Sequence, residues 1–298
     1  MTGWIAGIIG LLFLAVVLGI VVIDSNRFVV VTYDFISEKI KENYNFVLIS
    51  DLHNKVYGKD NSKLLDTIFK LQPEAVFIAG DMLTAVPGAD FSTTIDFLKK
   101  ISERYPVYYG NGNHEQRMRL EPLKYGSMYE DYQKELKKIG INPMLNQKVY
   151  LEKPDIMVYG AEIDKFYYKH FIKRYMSPSY LESLFTGNQV LDEESSMDRT
   201  DYSYAYKILI AHDPDYFEAY VKWGADLTLS GHIHGGVARL PILGGVISPS
   251  LRLFPKYDGG LFEKDGKKMV LSRGLGAHTI PLRFLNPGEV ILIRLKKK

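Results

Sequence analysis

Asn45-Phe46-Val47-Leu48-Ile49-Ser50-Asp51-Leu52-His53 is the stretch that decides the fold. Its apolar run is rich in strand-forming residues and shows no polar alternation, which describes a strand buried on both faces; it stops on an aspartate and a histidine. The same arrangement returns twice. Residues 75–79 (AVFIA) run into Gly80-Asp81, and residues 106–109 (PVYY) run into Gly110-Asn111-Gly112-Asn113-His114. Between these runs, Leu64, Leu65, Ile68 and Leu71 have helical spacing, as do Phe91, Ile95, Leu98 and Ile101 behind Asp90 as a helix cap. A β-α-β-α-β order with buried strands predicts a parallel sheet, whose ligands gather outside the carboxyl ends of the strands. Asp51, His53, Asp81, Asn113 and His114 all fall at such ends.

Working outward, residues 28–33 (FVVVTY) read as a strand, and so do 149–151, 156–160, 207–211 (KILIA), 227–229, 269–271 and 289–295. Two of these again end in histidine: 207–211 runs into His212-Asp213-Pro214, and 226–230 into Gly231-His232-Ile233-His234-Gly235-Gly236. Residues 163–204 form the longest and most polar interval, expected as a lid or an insertion. Within it Lys165, Lys169 and Lys173 recur every fourth residue, with Tyr167, Phe171 and Tyr175 offset by two. A helix with those rows would lie on anionic headgroups or cover a lipid-like substrate, or else pack its aromatic stripe on the core.

Residues 4–23 carry no charge, a length sufficient for a transmembrane helix across about 30 Å of hydrocarbon. Met1-Thr2-Gly3 has no basic residue and 19–23 offers no small-x-small cleavage site, so an uncleaved anchor is expected rather than a signal peptide. Arg27, Lys39 and Lys41 follow, diluted by Asp24, Asp34, Glu38 and Glu42; the lean is toward a domain on the cytoplasmic face. The expected organisation is an anchor over 1–25 and one domain over 26–298. With 37 basic against 35 acidic residues, the chain has no polyanion-attracting field, so no nucleic-acid partner is indicated, and no motif points to a protein partner. The absence of cysteine excludes disulfides, thiolate catalysis and Cys-ligated zinc, leaving His, Asp, Glu and Asn as metal ligands.

Singly, Asp51 or Asp81 is a turn former and His212 a packed histidine. Together Asp51-x-His53, Gly80-Asp81, Gly112-Asn113-His114-Glu115, His212 and Gly231-His232-x-His234 form an ordered set of oxygen and nitrogen donors at strand ends. They are too many for one tetrahedral ion and suit two ions sharing a carboxylate. In order and spacing these blocks resemble the calcineurin-like metallophosphoesterases, over roughly residues 45–283. The resemblance implies an α/β four-layer sandwich of two mixed β-sheets flanked by helices, here preceded by one transmembrane helix. It implies that Asp51, His53 and His234 hold one divalent ion, that Asn113, His212 and His232 hold a second, and that Asp81 bridges them. It further implies that His114 reaches the scissile phosphate, as proton donor or as transition-state stabiliser. Such mixed donors accommodate Mn, Fe, Zn or Co.

The function expected is a membrane-anchored phosphoesterase acting on a phosphodiester, pyrophosphate or phosphomonoester through a metal-bridging hydroxide, with a phosphorylated substrate for which a lipid-linked class is one candidate. The competing reading is a non-catalytic, membrane-tethered binding module that uses the metals structurally. Leu240-Pro241 and Ser272-Arg273-Gly274-Leu275-Gly276 resemble the family branch with bacterial membrane-associated and secreted members, some of which cleave the pyrophosphate of a nucleotide-linked lipid sugar. Val237 after Gly235-Gly236 departs from the Gln often found there. Arg117 and Arg119 either grip a phosphate bidentately or are solvated. His278, in a glycine-rich turn, is a further candidate for the pocket border.

Overall fold

The computed structural model describes residues 2–168, 174–188, 190–192, 202–240, 243–247, 253–277 and 282–298. Helix α1 (Thr2–Ser25) leads into β1 (Phe28–Ser37), β2 (Tyr44–Ile49), α2 (Ser62–Leu71), β3 (Ala75–Ala79), α3 (Ser92–Ser102) and β4 (Val107–Gly110). Helices α4 (Asn113–Leu120), α5 (Pro122–Tyr125) and α6 (Met128–Lys138) precede β5 (Gln147–Leu151) and β6 (Ile156–Ala161). Then come α7 (Pro178–Phe185), β7 (Val190–Asp192), β8 (Tyr206–Ala211), α8 (Phe217–Trp223) and β9 (Leu227–Ser230). Strands β10 (Ala238–Leu240), β11 (Gly244–Ile247), β12 (Gly260–Lys264), β13 (Lys267–Leu271) and β14 (Gly288–Lys297) complete the order.

The strands form a five-stranded sheet, β1-β14-β2-β3-β4, a seven-stranded sheet, β12-β13-β9-β8-β6-β5-β7, and the antiparallel pair β10-β11. The β2-α2-β3-α3-β4 run is parallel, as the sequence predicts. In the second sheet β6, β8, β9 and β13 are parallel to one another. Both large sheets are mixed, because β14 runs antiparallel to β2, β5 antiparallel to β6 and β12 antiparallel to β13.

Burial on both faces explains the continuous apolar runs. Val47, Ile49, Val76 and Ile78 face a cluster shared with Leu64 and Ile68 of α2, Leu98 of α3 and Tyr132 of α6. Their neighbours Phe46, Leu48 and Phe77 face the other way, onto Ile208, Ile210, Leu229 and Val270 between the sheets. Leu209, Ala211, Met269 and Leu271 pack outward on Leu181 of α7 and on Phe217 and Tyr220 of α8. The result is helices, sheet, sheet, helices, with strand alternation hidden because neither face meets water.

Strands β1 and β14 were legible as strands but not as partners. They pair in parallel from Phe28↔Gly288 to Ser37↔Lys297. Since β14 is antiparallel to β2, the start of β1 lies at the edge where β2 ends. Two local expectations are corrected. The helix cap is displaced: Phe91 is the first residue outside α3, while Asp90 accepts the Ser92 N–H at 2.8 Å. The basic-aromatic helix is broken as well. Residues 165–168 make one 3-10 turn, 174–177 are not helical, and 169–173 lie outside the described residues, as do 189 and 193–201 of that interval. Pro178 begins α7 with Ser177 as its cap, and a proline pushes the residue before it out of helical geometry.

Helix α1 is uncharged from Trp4 to Ile23, and its exposed face includes Leu11, Phe13 and Val16. Within Trp4–Ser25 an 18-residue window has a mean hydropathy of 3.1, so the helix is long and apolar enough to cross a membrane.

A candidate metal centre at the strand ends

Seven side chains from both sheets converge where the parallel strands end. Asp51 and His53 follow β2, Asp81 follows β3, Asn113 opens α4 after β4, His212 follows β8, and His232 and His234 follow β9. Every residue that the sequence nominates as a metal ligand is therefore at this edge. Five of them, Asp51, His53, Asp81, His232 and His234, have φ between 49° and 77°. A left-handed conformation costs a non-glycine residue of order 1 kcal/mol, and it persists only where surrounding contacts enforce it. Here the loops brace one another across the sheets. Asp51 N–H donates to Gly80 C=O at 2.9 Å, His53 N–H to Asp81 C=O at 3.1 Å, and Gly276 N–H to Asp51 C=O at 2.6 Å.

The donor atoms fall into overlapping groups. Asp51, His53 and His234 make one: His53 Nε2 is 3.3 Å from His234 Nε2, which is 3.5 Å from Asp51 Oδ1. Asp81, His212 and His232 make another, with Asp81 Oδ2 3.1 Å from His212 Nε2. His232 Nδ1 lies 2.7 Å from Asn113 Oδ1, which adds the amide oxygen to this second group. Asp81 Oδ2 is also 3.8 Å from His53 Nε2, so this one oxygen stands between the two groups. A third grouping joins His53, Asp81 and His114.

The far side of each ring is anchored. The His212 Nδ1–H donates to Ala79 C=O at 2.5 Å and the His234 Nδ1–H to Gly276 C=O at 3.1 Å, so both turn Nε2 toward the centre. Thr84 Oγ1 is 3.2 Å from His53 Nδ1. His114 is held in the opposite sense: its Nδ1 accepts the Ala85 N–H at 2.9 Å, so Nε2 is the nitrogen that carries the proton.

Burial makes the cluster strongly self-interacting. It pushes the Asp51 carboxyl up to about 6, against the pull of His212. It acts on Asp81 in the same direction, but the imidazoles of His212, His114 and His53 outweigh it and hold Asp81 well below the usual carboxylate range. Burial would lower His212, yet Asp81 and Asp51 raise it to about 10. A water-poor site with two carboxylates, an amide oxygen and four imidazoles converging is the donor chemistry of a divalent metal centre.

Residues 44–236 match the family model for calcineurin-like phosphoesterases. The chain belongs to this family. Its donor cluster fits a divalent metal centre. An uncharacterized metallophosphoesterase of Bacillus subtilis, YkuE, is 34% identical over 116 residues, 39% of this chain and 39% of the relative. An uncharacterized metallophosphoesterase of Campylobacter jejuni is 26% identical over 267 residues, 87% of this chain and 61% of the relative. Phosphodiesterase YaeI of Escherichia coli is 23% identical over 255 residues, 85% of this chain and 82% of the relative. The chain spans less than half the length of the Bacillus relative in the matched part.

Several groups around this phosphoesterase centre escape a motif reading. Glu115 is fully buried and accepts the N–H groups of Asp81 at 3.0 Å, Met82 at 2.8 Å and Gly112 at 3.0 Å, besides the Tyr109 hydroxyl at 2.9 Å. It fixes the turn that carries Asp81. Its position three residues after Gly112, the reciprocal position of a capping box, was the available signal. Ser50 Oγ donates to Asp51 Oδ2 at 2.6 Å, and Asn286 Nδ2 donates to His234 C=O at 2.8 Å and Gly236 C=O at 2.6 Å. Arg119 is not available as a phosphate clamp, because its Nη2 donates to Glu162 Oε2 at 2.5 Å. Arg117 is half-buried on α4. His278, Pro241 and the Lys169 and Lys173 positions lie outside the described residues.

Close approach also explains Gly112. A Cβ there would stand 2.2 Å from Asp81 Oδ1 and 2.6 Å from its backbone nitrogen. Gly112→Ala is expected to displace Asp81, lowering stability by roughly 1–3 kcal/mol and cutting metal-dependent phosphoester hydrolysis. Thermal unfolding and turnover measured on the same preparation check this; a variant unchanged in both would show that the turn yields without cost.

Proposed function

We propose that this phosphoesterase binds two divalent ions, one on Asp51, His53 and His234, the other on Asn113, His212 and His232, with Asp81 shared. The observation that carries this reading is the placement of Asp81 Oδ2 between His212 and His53 while its Oδ1 accepts the His114 N–H at 2.8 Å. Bound there, the ions neutralise phosphoryl charge and acidify a water for attack on phosphorus. The protein's own groups do the rest. Asp51 is oriented by Ser50 and by the His232 N–H at 3.0 Å, and the buried glutamate beneath Asp81 keeps its turn rigid. His114, with its proton on Nε2 and its Nδ1 engaged, acts as a hydrogen-bond donor to the phosphoryl or leaving-group oxygen.

The substrate class proposed is a phosphodiester or pyrophosphate, and the name of the Escherichia coli relative supports the diester. We read residues 1–25 as a single-pass anchor, 26–298 as the catalytic domain on the cytoplasmic face, and 163–204 as a lid or insertion beside it. Tyr168 lies at the inner end of the described part of that segment, its ring centroid 5.4 Å from that of His232. A membrane-tethered enzyme of this kind suits a lipid-linked phosphate. Hydrolysis of bis(p-nitrophenyl) phosphate by the full chain with added Mn²⁺ tests the diester reading, and activity confined to monoesters would refute it.

The division of ligands makes its own prediction. His232→Ala and His234→Ala are each expected to lose one ion, and a different one, because their ring nitrogens belong to different donor groups. Loading with two distinguishable metals, followed by elemental analysis and anomalous scattering, reads this directly. Loss of the same ion from both variants would contradict the assignment.

A further inference from the structure

The metal centre and the exit of the apolar helix lie at the same edge of the fold. Strand β2 ends there, and β1, paired in parallel with β14, begins there immediately after α1. Short hydrogen-bonded steps connect the two features. Asn286 donates to the carbonyls of His234 and Gly236, and the Arg283 N–H donates to Ser25 Oγ, in the last residue of α1, at 3.1 Å. The Arg283 guanidinium, buried, donates to Arg273 C=O at 2.9 Å and to Gly276 C=O at 2.5 Å, the same carbonyl that orients His234. The segment between the helix exit and the metal loop is thus held by bonds rather than hanging from it.

That segment and the strands beside it expose large apolar side chains. Leu243 is 63% exposed, Leu253 67%, Phe254 60% and Leu282 49%, with Leu240 and Leu285 also exposed. The segments that carry them are joined by backbone hydrogen bonds. Arg239 N–H donates to Phe284 C=O, Phe284 N–H to Val237 C=O, and Phe254 N–H to Val246 C=O on β11. A soluble surface seldom gathers so many leucines beside a catalytic loop, and a contiguous apolar patch marks an interaction site. At the helix exit, a groove of about 460 Å³ is lined by Arg27, Lys63, Thr67 and Lys70 with Asp66, a net basic set. Lys55 Nζ adds a further cation there, donating to Asn26 Oδ1 at 2.9 Å. Exposed apolar side chains and cations near the exit of a membrane helix suit the acyl and headgroup layers of an anionic leaflet.

We propose that the surface formed by Leu240, Leu243, Leu253, Phe254, Leu282 and Leu285 inserts into the leaflet from which α1 emerges, so that the metal centre opens onto the membrane surface. This rests on α1 being a membrane anchor. The occupant is a lipid bilayer, and the chemistry it implies for the substrate is a phosphoester whose apolar part stays in the leaflet during hydrolysis. Burying a handful of leucines suffices to fix the domain's tilt once α1 tethers it.

The cysteine-free chain allows the test in the intact protein. Single cysteines at Leu243, Leu253 and Leu282 carry an environment-sensitive fluorophore in vesicles of phosphatidylcholine and phosphatidylglycerol, with Leu12→Cys in α1 and Lys153→Cys as references. Lys153 lies in the β5-β6 turn, at the sheet end opposite the metal centre. Labels at 243, 253 and 282 are expected to shift to the blue and to lose most of their emission to spin-labelled lipids quenching at shallow depth. The label at 12 should be quenched by deep probes, and that at 153 by neither. Quenching at 12 without quenching at 243, 253 and 282 would overturn the docking surface and leave the anchor intact. Absence of quenching at 12 would overturn the anchor itself, and the docking surface with it.

Discussion

Asp81→Ala is expected to abolish phosphodiester hydrolysis, lowering kcat by roughly 10³-fold or more, because removing the shared ligand disrupts both ion sites and so the charge neutralisation and water activation together. No neighbour can replace it. Asp51 is the other carboxylate of the donor set, but its Oδ2 accepts from Ser50, its carboxylate accepts the His232 N–H, and its Oδ1 stands 3.5 Å from His234 and 3.9 Å from His212. Asp81→Asn separates two components of the loss. It keeps an oxygen for the His114 N–H while removing the negative charge that Oδ2 presents to His212. The conservative variant should keep the wild-type melting temperature and still lose most activity. Turnover of bis(p-nitrophenyl) phosphate with Mn²⁺ and metal content by elemental analysis are the measurements. Asp81→Ala turning over within about tenfold of wild type would contradict a shared-ligand role.

His114→Ala is expected to lower kcat by roughly 10²–10⁴-fold while leaving metal content unchanged, the range for a positioned donor at the reacting group. The side chain is buried, and its Nδ1 is committed to the Ala85 N–H, so the ring cannot hold a second proton there without breaking that bond. It works from a single Nε2–H. A donor of this kind stabilises negative charge in the transition state rather than delivering a full proton from an imidazolium. The two roles differ in their response to the leaving group. If His114 were a general acid, the variant would lose far more activity on an alkyl phosphodiester than on a p-nitrophenyl ester, whose departing oxygen needs no proton. The tautomer fixed by Ala85 predicts similar losses on both.

The parallel core was legible because its strands are short, apolar and bounded by the residues they deliver. The run 75–79 is a strand to the residue, and β2, β8 and β9 deviate by a residue at their ends. The edges were less legible. Strand β1 alternates half-buried and exposed positions and holds its place through β14, a partner about 260 residues away whose identity no local pattern announces. Strands β10 and β11 are three and four residues long and only partly buried, so periodicity had too few positions to show. The basic-aromatic periodicity over 165–175 read as helical, yet Asp164 accepts the Phe166 N–H at 2.7 Å and closes a local turn instead.

The ligand candidates followed from the sequence because metal chemistry restricts residue type, and strand ends restrict position. Their supports did not follow. Glu115, Asn286 and Arg283 are ordinary polar residues until tertiary contacts bury them against particular backbone groups. Likewise the sequence left Arg119 between a phosphate clamp and a solvated side chain, and only the fold shows Glu162 taking its guanidinium.

By itself, the sequence determined a parallel β-α-β-α-β core and the placement of Asp51, His53, Asp81, Asn113, His114, His212, His232 and His234 at strand ends, since buried strands and metal donors each leave a local imprint; the two-sheet sandwich came from the family resemblance. Only the tertiary structure decided which histidine shares which carboxylate, which imidazole nitrogen bears the proton, and that α1 leaves the fold beside the metal centre. Those depend on pairings between residues far apart in the chain, and strand direction and register, which set them, have no signature in any single segment.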